Sequence, residues 1–476
     1  MSTLPSKLYD DAHPGTAVEQ VAGALTDAIA SGVLRPGQRL PSIRELVTEH
    51  GVSYYTAVSA YNRLSRVGLI SARQGRGFFV EAQRPTHAHQ ELAAQAQGAT
   101  EAYSQQFSAF RQLFHADATN MKLGSGWLPP NWRDTDALAR VIRRTASFAR
   151  SSLVEYGDPM GYLPLRESLV QHLHFTLGVA LRPDQVLTTL GATQGLDLVI
   201  RQLIEPGDVV LIDDPCNSSL VQLLALARAV VIGIPREPDG PNLGALEAVL
   251  VTRKVKAFFI NSVYHNPTGS TLSPQTAFQV LQLAHRHDFM LIEDDVYGDF
   301  ADSNNGRLVT MDGLRKVVYI GSFSKTLSAN LRVGYVVAPA PLTATLAAMK
   351  LLTSVSVPSF CERFIGAILA DGIYHSHLRE LQHRLTIHQA AAQAAFRDWG
   401  WSIYHAASGG MFLWVSHPAL TDIDAFIARA GAMGILLIPG ALFTADGRPS
   451  PWLRINVAHL DIDRAALLFA VGAAGS

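Results

Sequence analysis

Three observations predict an α/β chain in which a small helical module precedes a large sheet-based body. Seven short apolar runs, rich in β-branched residues, recur between Val186 and Val337. Segments with helical apolar spacing, such as Thr276 to His287, lie between most of them. Ahead of this body, up to about Arg84, three helical stretches are followed by two short strand-like runs. Continuous apolar strands alternating with helices indicate a mostly parallel sheet covered on both faces.

Taken in order, the first helix is marked by Val18, Val21, Ala22, Leu25 and Ile29 and stops at Ser31-Gly32. The second begins at Ser42, where a Ser three residues before Glu45 forms a capping box. Gly51 breaks it. Ser53 caps a third helix with Val58, Tyr61 and Leu64 on its inner face, and Gly68 ends that helix. Leu69-Ile70 and Phe78-Phe79-Val80, with Gly75 and Gly77 between them, read as two strands about a glycine turn. Helix, helix, turn, helix and β-wing is the layout of a winged helix-turn-helix over residues 1–84, whose third helix enters the major groove. From Arg35 to Arg84, the arginines Arg35, Arg39, Arg44, Arg63, Arg66, Arg73, Arg76 and Arg84 face only Glu45, Glu49 and Glu81. The module is locally basic, which suits phosphate contacts on double-stranded DNA.

Residues 85–118 are rich in Ala and Gln and read as a part-helical linker. His87 and His89 lie there without a Cys or carboxylate pattern, so no metal site is expected. Residues 119–476 form the body. Its seven strands are Val186–Thr189, Val209–Ile212, Val230–Ile232, Ala257–Ile260, Phe289–Ile292, Val317–Ile320 and Gly334–Val337. After about Pro339 the pattern turns helical and then mixed, which predicts a smaller C-terminal α+β subdomain.

Bulk properties narrow the function classes. The 476 residues are 48% hydrophobic and 17% charged, enough for a large packed core. The net charge of -1 excludes a surface that is a nucleic-acid clamp throughout. Two cysteines, Cys216 and Cys361, exclude a disulfide framework. No secretory h-region follows Met1 and no apolar stretch reaches the ~20 residues that span a bilayer. The expectation is a soluble, cytoplasmic protein with no membrane partner.

The N-terminal residues resemble the GntR-type winged helix. The resemblance rests on Pro36-Gly37-Gln38-Arg39-Leu40-Pro41-Ser42-Ile43-Arg44-Glu45-Leu46, on Gly51-Val52-Ser53 and on Gly75-Arg76-Gly77-Phe78-Phe79-Val80. It implies that Arg44 and the start of the third helix (Ser53, Tyr54 and Thr56) contact DNA and that Arg76 sits on the wing. Many members carry Arg after the Ser that opens the recognition helix. Here Tyr54 stands there, followed by Tyr55, and a Tyr cannot grip guanine bidentately.

In the body the sharpest motif is Gly321-Ser322-Phe323-Ser324-Lys325, just after a strand. A lysine among small hydroxylated residues suits an imine to an aldehyde cofactor, with hydroxyls for its phosphate. Arg332, seven residues on, supplies a bidentate phosphate partner. Glu293-Asp294-Asp295-Val296-Tyr297 places a carboxylate at the end of a buried strand, where a protonated pyridine nitrogen would pair with it. His265-Asn266-Pro267-Thr268-Gly269 offers an amide at a tight turn, and Gly191-Ala192-Thr193-Gln194-Gly195 opens a helix whose N–H groups form an anion site.

These four motifs occur in the order and spacing of fold-type I aminotransferases, which the body resembles over nearly its full length. The resemblance implies pyridoxal 5'-phosphate bound to Lys325, Asp294 on the ring nitrogen, and Tyr297 and Asn266 on the ring oxygen. It implies Ala192, Thr193, Ser322 and Arg332 on the phosphate, and Tyr156 on the phosphate of a neighbouring subunit in a dimer. Arg454 would clamp a substrate α-carboxylate. Where the family places an aromatic residue that stacks on the cofactor, Asn217 stands here. Cys216 beside it reads as a small packing residue.

The whole chain resembles the MocR subfamily of bacterial transcription regulators. That implies a head-to-tail homodimer, a DNA operator, and a small amino acid or amine effector sensed through an external aldimine. The alternative is a working aminotransferase with an attached DNA-binding domain.

Overall fold

The structure, a computed structural model, describes residues 16–73, 76–81, 110–148, 154–301 and 306–470. Gly75, Arg84, His87, His89 and most of the expected linker lie outside the described residues. The chain divides into two compact units, Met1–Tyr103 and Ser104–Ser476.

In the first unit, α1 (Ala17–Ala30) is capped by Thr16 and α2 (Ile43–His50) by Ser42. Both caps are reciprocal boxes, with Glu19 and Glu45 returning a hydrogen bond to the cap backbone. Gly51, at φ 68°, ends α2 in the left-handed region that a side chain disfavours. α3 (Tyr54–Arg66) starts at Ser53. β1 (Ile70–Arg73) and β2 (Gly77–Val80) pair antiparallel as the wing. The core holds Val21, Leu25, Leu46, Tyr61, Leu64 and Val80. The inner face of α3 is Ala57, Ala60, Tyr61 and Leu64. Val58, expected on that face, lies half-buried at its edge, because Ala57, one residue earlier, takes the inward position.

The second unit is built on an eight-stranded sheet. Its strands are β3 (Val186–Thr189), β4 (Val209–Asp214), β5 (Val230–Glu237), β6 (Gly240–Pro241), β7 (Val255–Ile260), β8 (Met290–Asp294), β9 (Val317–Ser322) and β10 (Gly334–Val337). Their order is β3-β10-β9-β8-β7-β4-β5-β6. β5, β4, β7, β8 and β9 run parallel, while β10 is antiparallel to both neighbours. The seven expected strands are all present. The eighth, β6, is a two-residue partner of β5, too short to carry a pattern.

Alternation along each strand divides the sheet's apolar side chains between two cores. Leu211, Phe258, Leu291 and Val317 enter one. Their chain neighbours Ile212, Phe259, Ile292 and Val318 enter the other. That double burial is why the strands read as unbroken apolar runs. Beyond the sheet, a 26-residue helix (Ile373–Asp398) packs against a three-stranded antiparallel sheet of β11 (Ser402–Ile403), β12 (Phe412–Ser416) and β13 (Trp452–Asn456). Their core includes Met121, Leu123 and Leu128, so the first residues of the body fold with its last.

Residues 110–115 are helical, and Leu113 is buried against Trp414, Ile438 and Phe443. The end of the 85–118 stretch therefore packs on the body. Among the described residues no helix is long and apolar enough to cross a membrane.

The close approach that shapes the site is at Gly334. A Cβ added there would lie 2.6 Å from the Gly191 carbonyl carbon and 2.8 Å from the Ala192 nitrogen, both backbone atoms. Gly334→Ala must push β10 from the helix at Gly191. We expect it to lower stability by about 1–3 kcal/mol, read as a lower urea midpoint. An unchanged midpoint would contradict the packing described.

Candidate functional site

The ends of β4, β7 and β8, with Leu196 of the helix Gly191–Leu203 and Leu220 of the helix Ser218–Leu226, line a cavity. Its lining includes Asn217, Asn261, His265, Asn266, Asp294 and Tyr297. Lys325 follows β9 and is partly buried. Its Nζ donates to the Gly126 carbonyl at 2.7 Å and lies 5.9 Å from the centre of the Tyr297 ring. Burial pulls its amine down to about 8, and the Arg454 charge adds to this, while Asp294 opposes it. About a tenth of the Lys325 amine is therefore neutral and nucleophilic at pH 7, far more than of an ordinary lysine.

Asp294 ends β8. Burial pushes its carboxyl up to about 6, against the hydrogen bond from the Val296 N–H at 3.3 Å; the charge of Asp295 raises it further and that of Lys325 lowers it. No cation pairs with it by a direct contact among the described residues, so it suits a protonated ring nitrogen. Tyr297 is buried, and its hydroxyl is pushed up by that burial.

Arg454, on β13, is 3% exposed. Its Nη1 donates to Asn266 Oδ1 at 2.7 Å and its Nη2 to the Gly124 carbonyl at 2.6 Å. The guanidinium carbon lies 4.7 Å from the ring centre of Phe412 and 4.6 Å from that of Phe443. Nε has no partner, and burial pulls the group down to about 10. Its hydrogen-bond acceptors among the described residues are neutral oxygens, so amides and rings solvate the charge. A buried cation in that state is set to receive an anion.

At the other end of the cavity, the helix Gly191–Leu203 has Leu190 at its N-cap and no side chain closing its first turn. Ala192 and Thr193 supply open N–H groups there. Arg332, at φ 51°, donates from Nη2 to the Leu190 carbonyl at 2.9 Å and from Nη1 to Ser324 Oγ at 3.4 Å. Ser322 Oγ is 3.1 Å from Ser324 Oγ. Gly191 makes room for the guanidinium, since a Cβ there would meet Arg332 Nη2 at 2.7 Å. An uncapped helix start, a guanidinium and two hydroxyls fit a phosphate dianion. With Lys325, Asp294, Tyr297 and the Asn266 amide, the donor set fits a phosphorylated pyridine aldehyde.

Three residues singled out in the sequence lie at or beyond the rim of this cluster. Asn217 caps the helix Ser218–Leu226, its Oδ1 accepting from the Ser219 N–H at 3.2 Å, so the cavity has an amide wall there. Cys216 is buried and its thiol is pushed well up by burial, as a packing residue would be. Tyr156 is 87% exposed and does not join the Lys325 cluster within one chain.

In the first unit, Arg44, Tyr54, Tyr55 and Arg76 are exposed, which suits a binding face. Thr56 is not part of that face. It is 8% exposed, and its hydroxyl lies 2.8 Å from Ser53 Oγ. The Ser53 hydroxyl also accepts the Thr56 N–H at 3.0 Å, so this pair serves as the helix cap.

Sequence reasoning missed the segment Gly124-Ser125-Gly126-Trp127. Its carbonyls meet Arg454, Lys325 and the Asn456 amide. The only signal was a pair of glycines around a serine. Ser324 and Asn261 were missed as well.

Residues 118–468 match the family described as aminotransferase class I and II, and residues 17–80 match the bacterial regulatory proteins of the gntR family. The HTH-type transcriptional regulator YdcR of Escherichia coli is 29% identical over 92% of this chain and 94% of its own length. The probable rhizopine catabolism regulatory protein MocR of Rhizobium meliloti is 25% identical over 80% of this chain and 78% of its own. Among solved structures, LysN, an α-aminoadipate aminotransferase of Thermus thermophilus complexed with N-(5'-phosphopyridoxyl)-L-leucine, aligns with a TM-score of 0.69. It is 25% identical, over 76% of this chain and 92% of LysN. The body is thus a fold-type I aminotransferase fold, and by family it is a pyridoxal phosphate domain.

If the Lys325 amine titrates near 8, the rate at which the cofactor-free protein takes up pyridoxal phosphate should rise roughly eightfold from pH 7.0 to 8.5, as the neutral fraction grows. Stopped-flow absorbance would read it. A rise of about thirtyfold over that range, which an ordinary lysine amine would give, would contradict the depressed value.

Proposed function

The chain belongs to the aminotransferase class I and II family and carries a GntR-family module ahead of that domain, and on that premise we propose a transcription regulator that binds pyridoxal phosphate and senses a small amino compound. This is the architecture of the MocR subfamily. The observation that carries the reading is Arg454, a buried guanidinium held by neutral acceptors, beside the Lys325 amine: a Cβ on Gly126 would lie 3.6 Å from Lys325 Nζ and 3.8 Å from Arg454 Nη2. Such a pocket calls for a ligand with both an amino and an anionic group, an amino acid or ω-amino acid first.

In this reading the cofactor supplies an aldehyde that forms an imine with an amine. Lys325 is that amine in the resting protein. Asp294 holds the ring nitrogen, Tyr297 and Asn266 the ring oxygen, and Ala192, Thr193, Ser322 and Arg332 the phosphate. Exposed Tyr156 serves the phosphate of a second copy in a head-to-tail homodimer. Arg44, Tyr54 and Arg76 face the operator DNA.

The Gly124–Trp127 segment supports sensing. A free Lys325 amine has hydrogens to donate to the Gly126 carbonyl, and a lysine tied to the cofactor would have fewer, in a direction the cofactor would fix. An incoming carboxylate competes with the Gly124 carbonyl for Arg454. Both events act on one stretch of backbone, and Trp127 is stacked on Phe114 at 5.0 Å, towards the linker. A ligand shifts an equilibrium only by its differential affinity for two states, and these two hydrogen bonds supply a difference.

The rival reading is an aminotransferase. The intact set of Lys325, Asp294, Tyr297 and Arg454 favours it, and Asn217 in the stacking position weighs against efficient turnover. Steady product formation with a 2-oxo acid acceptor would decide for the enzyme.

The sensor reading is tested by operator binding across a panel of amines with cofactor bound. Lys325→Ala should lose the visible imine band. Arg454→Ala should keep the band and lose the operator response to amino acids. Arg44→Ala should weaken operator binding about tenfold with the spectrum unchanged. Operator affinity that is the same with every amine would refute sensing.

A further inference from the structure

We propose that Asn261 is a positioning residue that fixes the spacing between the carboxylate and the amide which, on the reading above, hold opposite sides of the cofactor ring. Asn261 is the first residue after β7. Its Nδ2 donates to the Asp294 carbonyl at 2.7 Å. Its Oδ1 accepts the Asn266 N–H at 2.8 Å. One side chain therefore ties the end of β8 to the turn that carries Asn266. A third bond from Nδ2 to the Val263 carbonyl, at 3.3 Å, holds the intervening loop.

The Asn261 backbone is anchored in turn. Its N–H donates to Asp213 Oδ2 at 3.3 Å. Asp213 is 1% exposed and is paired with the buried Arg236 at 3.0 Å. Arg236 also donates to the Asn261 carbonyl at 3.1 Å and to Ser270 at 3.2 Å. His265 Nε2 lies 3.6 Å from the same Asp213 oxygen, and its Nδ1 is 2.8 Å from Thr268 Oγ1. A buried ion pair thus fixes the Asn261 main chain, and the Asn261 side chain transfers that fixed position to both ring-facing groups.

The chemistry requires an amide. Only a side chain with a donor and an acceptor on one rigid plane can hold a carbonyl and an N–H at once. Aspartate keeps the acceptor and loses the donor. Alanine loses both. A group outside the direct contacts acts by orienting those that make them, and its loss is commonly felt as tenfold or more in affinity.

The test uses the full chain with pyridoxal phosphate as the probe. Three quantities are read for wild type, Asn261→Ala and Asn261→Asp: cofactor dissociation constant, pH midpoint of the visible band, and thermal midpoint of the cofactor-free protein. Asn261→Ala should weaken the cofactor about tenfold. It should also move the band's midpoint up by about half a pH unit, because a displaced Asn266 amide no longer favours the deprotonated ring oxygen. Asn261→Asp should weaken the cofactor with a smaller displacement, since Asn266 keeps its acceptor. The thermal midpoint should hold within about 2 °C in the Asp variant. Wild-type affinity and midpoint in both variants would overturn the inference. So would a fall in thermal midpoint with an unmoved spectrum, which marks a structural role only. A wild-type protein with no visible band would overturn the cofactor reading and this inference with it, whereas a normal wild-type band with indifferent variants overturns this inference alone.

Discussion

A buried arginine with no carboxylate beside it among the described residues organises the second unit. An unpaired charge taken out of water costs several kcal/mol unless other dipoles replace the solvent. At Arg454 the replacements come from three places. Asn266 belongs to a turn at the edge of the large sheet, and Gly124 belongs to the first stretch of the body. Phe412 and Phe443 belong to the small C-terminal part. The sheet, the entering chain and the small subdomain therefore meet at one guanidinium. Satisfying it fixes their mutual placement, and leaving it one anion short defines what the pocket accepts.

The large sheet sets the opposite wall by a different physics. Its strands alternate side chains into two separate cores, so the sheet is rigid and its loops carry the chemistry. Lys325, Asp294 and Asn266 lie at or just after the ends of adjacent strands. β10 runs against its neighbours and brings Gly334 onto the open helix start at Gly191. That contact leaves room for the Arg332 guanidinium beside the open helix start.

Much of this could be read from residue types, because the signals were local or periodic. The Ser42 box, the seven apolar runs and the spacing of Lys325 from Arg332 are properties of short windows. What escaped depends on atoms that every residue has. The carbonyls of Gly124 and Gly126 and the N–H of Asn266 carry no mark in the sequence, yet they determine how Arg454, Lys325 and Asn261 are held. Thr56 was misplaced for a related reason. A threonine three positions after a capping serine can face DNA or close the cap, and the hydroxyl-to-hydroxyl contact with Ser53 decides it. Val58 went astray by one position of helical phase, where small Ala57 outranks it for the interior. Asn217 was seen as a missing aromatic; its positive role as a helix cap needed the fold.

The helical residues 110–115 give the chain an awkward seam. A body cut at the family boundary, residue 118, would discard Leu113, leaving Trp414 and Phe443 without the side chain that covers them, and Trp127 without its ring partner Phe114. Phe443 lies directly against the Arg454 guanidinium, and Gly126, whose carbonyl accepts from Lys325, is the residue before Trp127. Exchange of DNA-reading modules between such chains, whether by recombination or by cloning, would thus succeed when the junction falls before this helix and disturb the pocket when it falls after.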